Sequence, residues 1–89
     1  MPTEMDIELA AREDLARVLE SGPLPGDIDL DMDMAGGLGL TSLNKVIFLM
    51  SVCDDAQVSL SAFTESDVAG MRTLRDVVKA LVKDARDRA

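Results

Sequence analysis

The pattern Thr-x-x-Asp occurs three times in this 89-residue chain, at Thr3, Thr64 and Thr73, and each copy is a candidate helix start. In a capping box, the threonine hydroxyl and the acid three residues later each accept a hydrogen bond from a backbone N–H of the first turn. Apolar residues at steps of three and four follow Thr3 and Thr73, which is the helical period. The patterns predict helices over about residues 3–20, 64–70 and 73–86.

A further, strongly apolar helix is predicted from Ser42 to about Asp55. It is preceded by a connection over residues 21–41, in which aspartates alternate with apolar residues: Asp27, Asp29, Asp31 and Asp33 with Ile28, Leu30, Met32 and Met34. Because no second strand is available to pair with this segment, we interpret it as an ordered loop. Its apolar side chains are expected to cover the bundle while its carboxylates face water. The residues thus predict an all-α fold, with three main helices and a short one in a single domain of residues 1–89.

Composition argues against several function classes. The net charge is −8, and residues 1–44 hold ten acidic and two basic residues, which disfavours binding to nucleic acid or anionic membranes. The longest bulky apolar run, Val46–Met50, is far too short to span a bilayer. With one cysteine and no apolar segment of the signal-peptide type in the first residues, we expect a cytoplasmic protein with no internal disulfide. We also expect a monomer.

Three motifs suggest metal binding or catalysis, but each lacks residues that the function requires. The aspartate row does not place glycine and a bidentate acid where a calcium loop of the EF-hand type needs them, so no metal site is predicted. Ser42 and Lys45 match S-x-x-K, but the other motifs of serine lactamases are missing. Cys53 has no histidine to activate it and is interpreted as a packing residue. We therefore predict no catalytic residue and expect that the protein is not an enzyme.

The most informative position is Ser42, where the loop Gly39-Leu40-Thr41 turns into the apolar helix. The first residues of this helix include no acid, although the exposed N–H groups and the dipole of a helix start favour a negative charge. That arrangement suits a phosphate attached to Ser42. The alternative is that Thr41 or Ser42 only caps the helix.

The apolar residues of the same helix form two clusters when they are spaced at about 100° per residue. Leu43, Ile47 and Met50 lie on one side, and a second set lies on another: Phe48, Leu49, Val52 and Ala56. One stripe is enough to anchor a helix to a small bundle, so the stripe beside Ser42 indicates a surface for a partner. The alternative is a helix buried on two sides.

The segment Leu38-Gly39-Leu40-Thr41-Ser42-Leu43 resembles the signature of the acyl carrier protein family, usually L-G-x-D-S-L. Met71–Val77 is similar to the family's entry into its final helix, and the likeness extends from about Ile7 to Leu81. The resemblance implies an acyl-carrier-protein-like four-helix bundle with a long first loop and a short third helix. It also implies that Ser42 carries 4′-phosphopantetheine, added from coenzyme A by a phosphopantetheinyl transferase. The thiol of that arm would hold an acyl or aminoacyl group as a thioester.

The sequence departs from the family pattern in ways that bear on its partners. Thr41 replaces the usual aspartate, Asn44 and Ile47 stand where fatty-acid carriers commonly have acids, and Asp54 keeps one such acid. Ala56-Gln57 replaces the usual aromatic residue and glycine near the helix end. These differences favour a carrier of polyketide or nonribosomal peptide biosynthesis over one of fatty-acid synthesis. The start at Met1 and the end soon after the last helix lead us to expect a freestanding protein, and the bias toward Ala, Asp and Arg with few Lys is typical of a bacterial source.

For such a carrier the resemblance implies a loading enzyme for the acyl or aminoacyl group, and ketosynthase or condensation-type enzymes as later partners. We expect partner contacts at five positions: Thr41, Leu43, Ile47, Met50 and Asp54. Two alternatives stay open. One is a peptidyl or aminoacyl carrier in place of a polyketide carrier, and the other is a small helical adaptor that binds proteins and carries no prosthetic group.

Overall fold

A computed structural model describes residues 3–20 and 22–87; Ser21 of the predicted loop and both chain ends lie outside that range. Four α-helices follow one another: α1 Glu4–Val18, α2 Ser42–Asp55, α3 Glu65–Gly70 and α4 Leu74–Asp87. Single turns of 3₁₀ helix occupy Pro25–Asp27 and Leu60–Ala62. In the described residues the β-type pairing is limited to one isolated bridge between Asp33 and Thr73. The predicted all-α bundle, with its long first loop and short third helix, is confirmed.

The three Thr-x-x-Asp patterns all begin helices, and each forms the reciprocal pair of hydrogen bonds expected of a capping box. Thr3 and Thr64 cap α1 and α3 with Asp6 and Asp67 as their partners. At α4, the Thr73 hydroxyl accepts from the Asp76 N–H at 3.2 Å, and the Asp76 carboxylate accepts from the Thr73 N–H at the same distance. Each Thr-x-x-Asp pattern therefore corresponds to a local pair of hydrogen bonds at a helix start.

The core lies where α1 packs against both α2 and α4. It is aliphatic apart from Cys53 and Phe48, and Phe48 is fully buried on α2. Its other fully covered members include Ala11, Leu15, Val52, Leu74 and Val77. α1 thus fixes the positions of both other long helices, whereas α3 contributes only the half-buried Val68 to the edge of the core.

The first loop buries its apolar residues unevenly. Ile28 and Met34 are buried and Leu30 is half-buried, as expected, but Met32 is 39% exposed. The expectation for Met32 is wrong because the backbone turns here instead of staying extended. The Gly37 N–H donates to the Asp33 carbonyl at 2.7 Å, and the Met32 side chain lies over Gly37, where a Cβ atom would overlap it.

The carboxylates of this loop are exposed, as predicted, and two of them also hold the loop in place. Asp33 Oδ1 accepts hydrogen bonds from two backbone N–H groups of its own turn, at 2.9 and 3.1 Å, and these lower its pKa. Asp31 accepts two hydrogen bonds from the Arg75 guanidinium on α4, at 2.6 and 3.2 Å, which lowers the pKa of that carboxyl. On the other side, Arg12 of α1 donates to the carbonyls of Pro25 and Ile28 at 3.1 and 2.7 Å. The loop is therefore attached to both α1 and α4.

We predict that Met34→Ala lowers the free energy of unfolding by about 2–5 kcal/mol, because Met34 is 1% exposed and its removal leaves a cavity. Met32→Ala is the matched control and should cost less than about 1 kcal/mol, since Met32 reaches solvent. Urea denaturation of both variants measures the difference. Equal losses for the two variants would contradict the placement of Met34 in the core.

Candidate functional site

The start of α2 separates the roles of two adjacent hydroxyl residues. Thr41 is the N-cap: its backbone is extended, and its Oγ1 accepts a hydrogen bond from the Asn44 N–H at 3.1 Å. Ser42 is the first residue of the helix and is exposed. Of the two capping alternatives, the structure assigns the cap to Thr41. The hydroxyl of Ser42 is therefore not required for capping.

α2 differs from the other three helices in the charge of its first turn. α1, α3 and α4 each have an acid there, and α2 has none. Asn44 occupies the capping-box position that holds aspartate elsewhere, and its Nδ2 donates instead to the Val18 carbonyl at 3.2 Å. This bond ties the start of α2 to the end of α1. No carboxylate of the first turn offsets the positive end of the α2 dipole beside Ser42.

The two apolar stripes of α2 have different surroundings. Phe48, Leu49, Val52 and Cys53 are buried, so this stripe anchors the helix. The other stripe faces solvent, with exposed fractions of 72% for Leu43, 49% for Val46, 44% for Ile47 and 57% for Met50. The interpretation as a helix buried on two sides is wrong, because all four side chains of the second stripe are exposed to solvent.

We call the exposed set Leu43, Val46, Ile47 and Met50 the apolar face of α2. Sequence reasoning missed Val46, although it lies three residues after Leu43 and four before Met50, which is neighbouring spacing on a helix. Asp54, also exposed, continues the line of Leu43 and Met50 at a further step of four. Four of the five residues expected to contact partners, Leu43, Ile47, Met50 and Asp54, thus follow one side of α2 over about 16 Å. Thr41 precedes the helix as its N-cap and does not lie on that side.

An open groove of about 400 Å³ lies beside Ser42, between α2 and α3. Apolar side chains make up most of its lining: Val46, Leu49, Leu60, Phe63, Val68 and Ala69. Lys45 lies in the same groove, and its Nζ donates to the Val68 carbonyl at 2.9 Å. The side of Ser42 that faces α3 therefore combines an apolar surface with the ammonium group of Lys45 and the carboxylate of Glu65.

Cys53 is a packing residue, as predicted. Its thiol is 2% exposed, and burial raises its pKa to about 11, with a further contribution from the charge of Asp84. The thiol is therefore protonated near neutral pH and is a poor nucleophile. Over residues 3–20 and 22–87, no group of three or more acidic or cysteine side chains could hold a metal ion.

Asp14 is a residue that sequence reasoning missed. It is buried on α1 at 2% exposure, seven residues after Ile7 and three after Ala11, on the stripe that faces the core. That spacing was the available signal, because a charged residue on a core stripe needs a partner. Asp14 lies on α1 and is separate from the start of α2.

In comparisons with known proteins, no family model matches the sequence, and no curated protein matches it. None of the helices in the described part of the chain is long and apolar enough to cross a bilayer. The geometry around Ser42 is therefore the principal source of information on function.

We predict that Ile47→Asp lowers the free energy of unfolding by less than about 1 kcal/mol, because Ile47 lies at the surface. Leu49→Ala, two residues away on the buried stripe, should cost about 2–5 kcal/mol. Thermal and urea denaturation measure both. If Ile47→Asp were as damaging as Leu49→Ala, Ile47 would belong to the core and the apolar face would not be a free surface.

Proposed function

We propose that the protein is a carrier of the acyl carrier type, in which Ser42 bears 4′-phosphopantetheine and α2 presents that group to partner enzymes. One observation carries the proposal. Ser42 is exposed at the start of α2, is not required for capping, and borders an apolar face that the bundle leaves uncovered. The resemblance of residues 38–43 to the carrier signature supports the identity of the group.

The residues around Ser42 fit an attached phosphate. A phosphodiester on Ser42 Oγ would place its negative charge at the positive end of the α2 dipole, where the first turn has no acid. Lys45 lies one turn further along the same side of the helix and adds a positive charge. When bound, the group supplies a thiol that holds an acyl or aminoacyl cargo as a thioester.

The chain's own contribution is to hold Ser42 in a fixed position. Thr41 caps the helix, Asn44 binds the end of α1, and Lys45 binds the carbonyl of Val68 on α3. The attachment point is thus fastened to two neighbouring helices. Tethering in this way raises the effective concentration of a cargo at a partner's active site, so no catalytic residue is proposed for this chain.

The apolar face indicates how partners dock. Leu43, Ile47 and Met50 are exposed on the helix that Ser42 begins, and the side of α2 that carries them offers a carboxylate only near its end, at Asp54. Partner enzymes are therefore expected to bind through apolar contact more than through charge. In the proposed setting of polyketide or nonribosomal peptide biosynthesis in a bacterial cytoplasm, these partners are the phosphopantetheinyl transferase, a loading enzyme and ketosynthase or condensation-type enzymes.

The modification test uses coenzyme A, a broad-specificity phosphopantetheinyl transferase and intact-mass measurement. The wild-type chain should gain the mass of one phosphopantetheine group, and Ser42→Ala should gain none. Ser66→Ala is the matched control and should be modified normally, since Ser66 is exposed at a helix start whose first turn holds two acids. A wild-type chain that gains no mass would contradict the proposal and favour the adaptor alternative.

The docking test measures kcat/KM of the same transferase. We predict that Ile47→Asp lowers kcat/KM about tenfold or more, because a charge is placed in an apolar contact; tenfold corresponds to about 1.4 kcal/mol. Met5→Asp makes a similar change at a side chain on α1 that is 72% exposed, and should leave the value within about twofold. Equal effects of the two substitutions would contradict docking through the apolar face.

A further inference from the structure

Asp14 is the buried charged residue of the described chain, at 2% exposure. Its neighbours on the inner stripe of α1 are Ala11 and Leu15, both fully covered. Burial in such surroundings disfavours a charged carboxylate unless hydrogen-bond donors compensate for the lost water. The contacts of its two carboxyl oxygens therefore decide whether the fold stabilises the protonated or the ionised form of Asp14.

The two oxygens of Asp14 have different partners. Oδ1 accepts a hydrogen bond from Arg17 Nη2 at 2.9 Å, but the Arg17 side chain is 66% exposed and bonds only this oxygen. Oδ2 is sealed from solvent and receives no hydrogen bond. The carboxyl group of Asp55, the last residue of α2, lies within hydrogen-bonding reach of Asp14. One buried oxygen of Asp14 thus lacks a donor, and a second carboxyl group lies near the same side chain.

Protonation of Asp14 removes the repulsion between the two carboxyl groups. Two carboxylates side by side repel each other strongly when one of them is shielded from water. If Asp14 is protonated, its O–H can donate to the Asp55 carboxylate, and both groups gain a hydrogen bond. The carbonyl end of the α2 dipole, which is negative, favours the same neutral form of Asp14.

We propose that Asp14 is protonated in the folded protein and directs its O–H at the Asp55 carboxylate across the contact between α1 and the end of α2, and that this proton makes the stability of the fold depend on pH near neutrality. The proposal concerns the far end of α2 from Ser42 and does not depend on the proposed carrier function.

The charges around the pair come from few elements. Arg17 on α1 is the cation that contacts it. α4 also packs against α1, and its Asp84 acts on the buried thiol of Cys53. The Pro25–Asp27 turn accepts a hydrogen bond from Arg12. Arg12 lies about 200° around the axis of α1 from Asp14, so this turn is on the other side of the helix. The charged groups that act on the proton of Asp14 are therefore Asp55 and Arg17.

The direction of the pH dependence follows from the buried group. Burial, together with the Asp55 carboxyl, raises the pKa of Asp14 to about 6 from a usual value of 3.8. A folded-state pKa above the unfolded value contributes stability that is complete below the unfolded pKa and is lost as pH rises through the folded one. Asp6, Asp31 and Asp33 have lowered pKa values, so their contributions are lost only at more acidic pH.

The test is urea denaturation between pH 5 and pH 8. For the wild type we expect the unfolding equilibrium constant to be about tenfold larger at pH 8 than at pH 5. Asp14→Asn keeps a neutral donor at the site, so its unfolding constant should change by less than about twofold over the same range. Asp54→Asn is the matched control: it removes an equal charge from the position next to Asp55 and should keep the wild-type dependence.

A second measurement does not depend on the stability of any variant. The carboxyl-carbon NMR signal of Asp14 in the wild type should titrate near pH 6, and in Asp55→Asn its midpoint should move to lower pH. Two results would overturn the proposal. One is a wild-type Asp14 midpoint at or below its ordinary value of about 4, and the other is equal pH dependence of unfolding in the wild type and Asp14→Asn.

Discussion

Burial of one stripe of α2 against α1 is the contact on which the rest of the structure depends. Phe48 and Val52 on α2 are fully covered, as are Ala11 and Leu15 on α1. A small bundle of three long helices cannot cover a second side of α2, so the remaining apolar residues of that helix face solvent. The same packing fixes the direction of the helix and places Ser42 at its exposed end. The packing that anchors one side of α2 thus also leaves its apolar face exposed to solvent.

The first loop brings the chain to the start of α2 in a defined position. Met34 is buried, and its carbonyl accepts the N–H of Leu40 at 2.8 Å, so the residues just before Thr41 are tied to the core. The Asp31–Arg75 pair and the bond from the Met34 N–H to the Arg72 carbonyl attach the same loop to the start of α4. A loop of about 20 residues would otherwise carry a large conformational entropy. Here it supports the proposed attachment point.

The sequence was most informative where structure is local. The Thr-x-x-Asp patterns predicted three helix starts, and the spacing of Leu43, Ile47 and Met50 predicted an exposed face. It was least informative about contacts between distant segments, such as the pairing of Asp31 with Arg75, 44 positions away. Met32 was predicted to be buried because acidic and apolar residues alternate in this loop, but a turn replaces the extended backbone that alternation requires.

The end of α2 was also not predicted. Gln57 adopts a left-handed backbone with φ of 60°, which closes α2 by bonds from the N–H groups of residues 57 and 58 to earlier carbonyls. Glycine is the usual residue in that conformation, so composition gave no signal for it.

The central claim is that Ser42 is an attachment point and not only the first residue of a helix. The most direct measurement is tandem mass spectrometry of the protein isolated from cells that produce it naturally. The account predicts that the peptide containing Ser42 carries 4′-phosphopantetheine, with fragment ions that place the group on Ser42. An unmodified Ser42 in cells with an active phosphopantetheinyl transferase, or the same group on another serine, would contradict it.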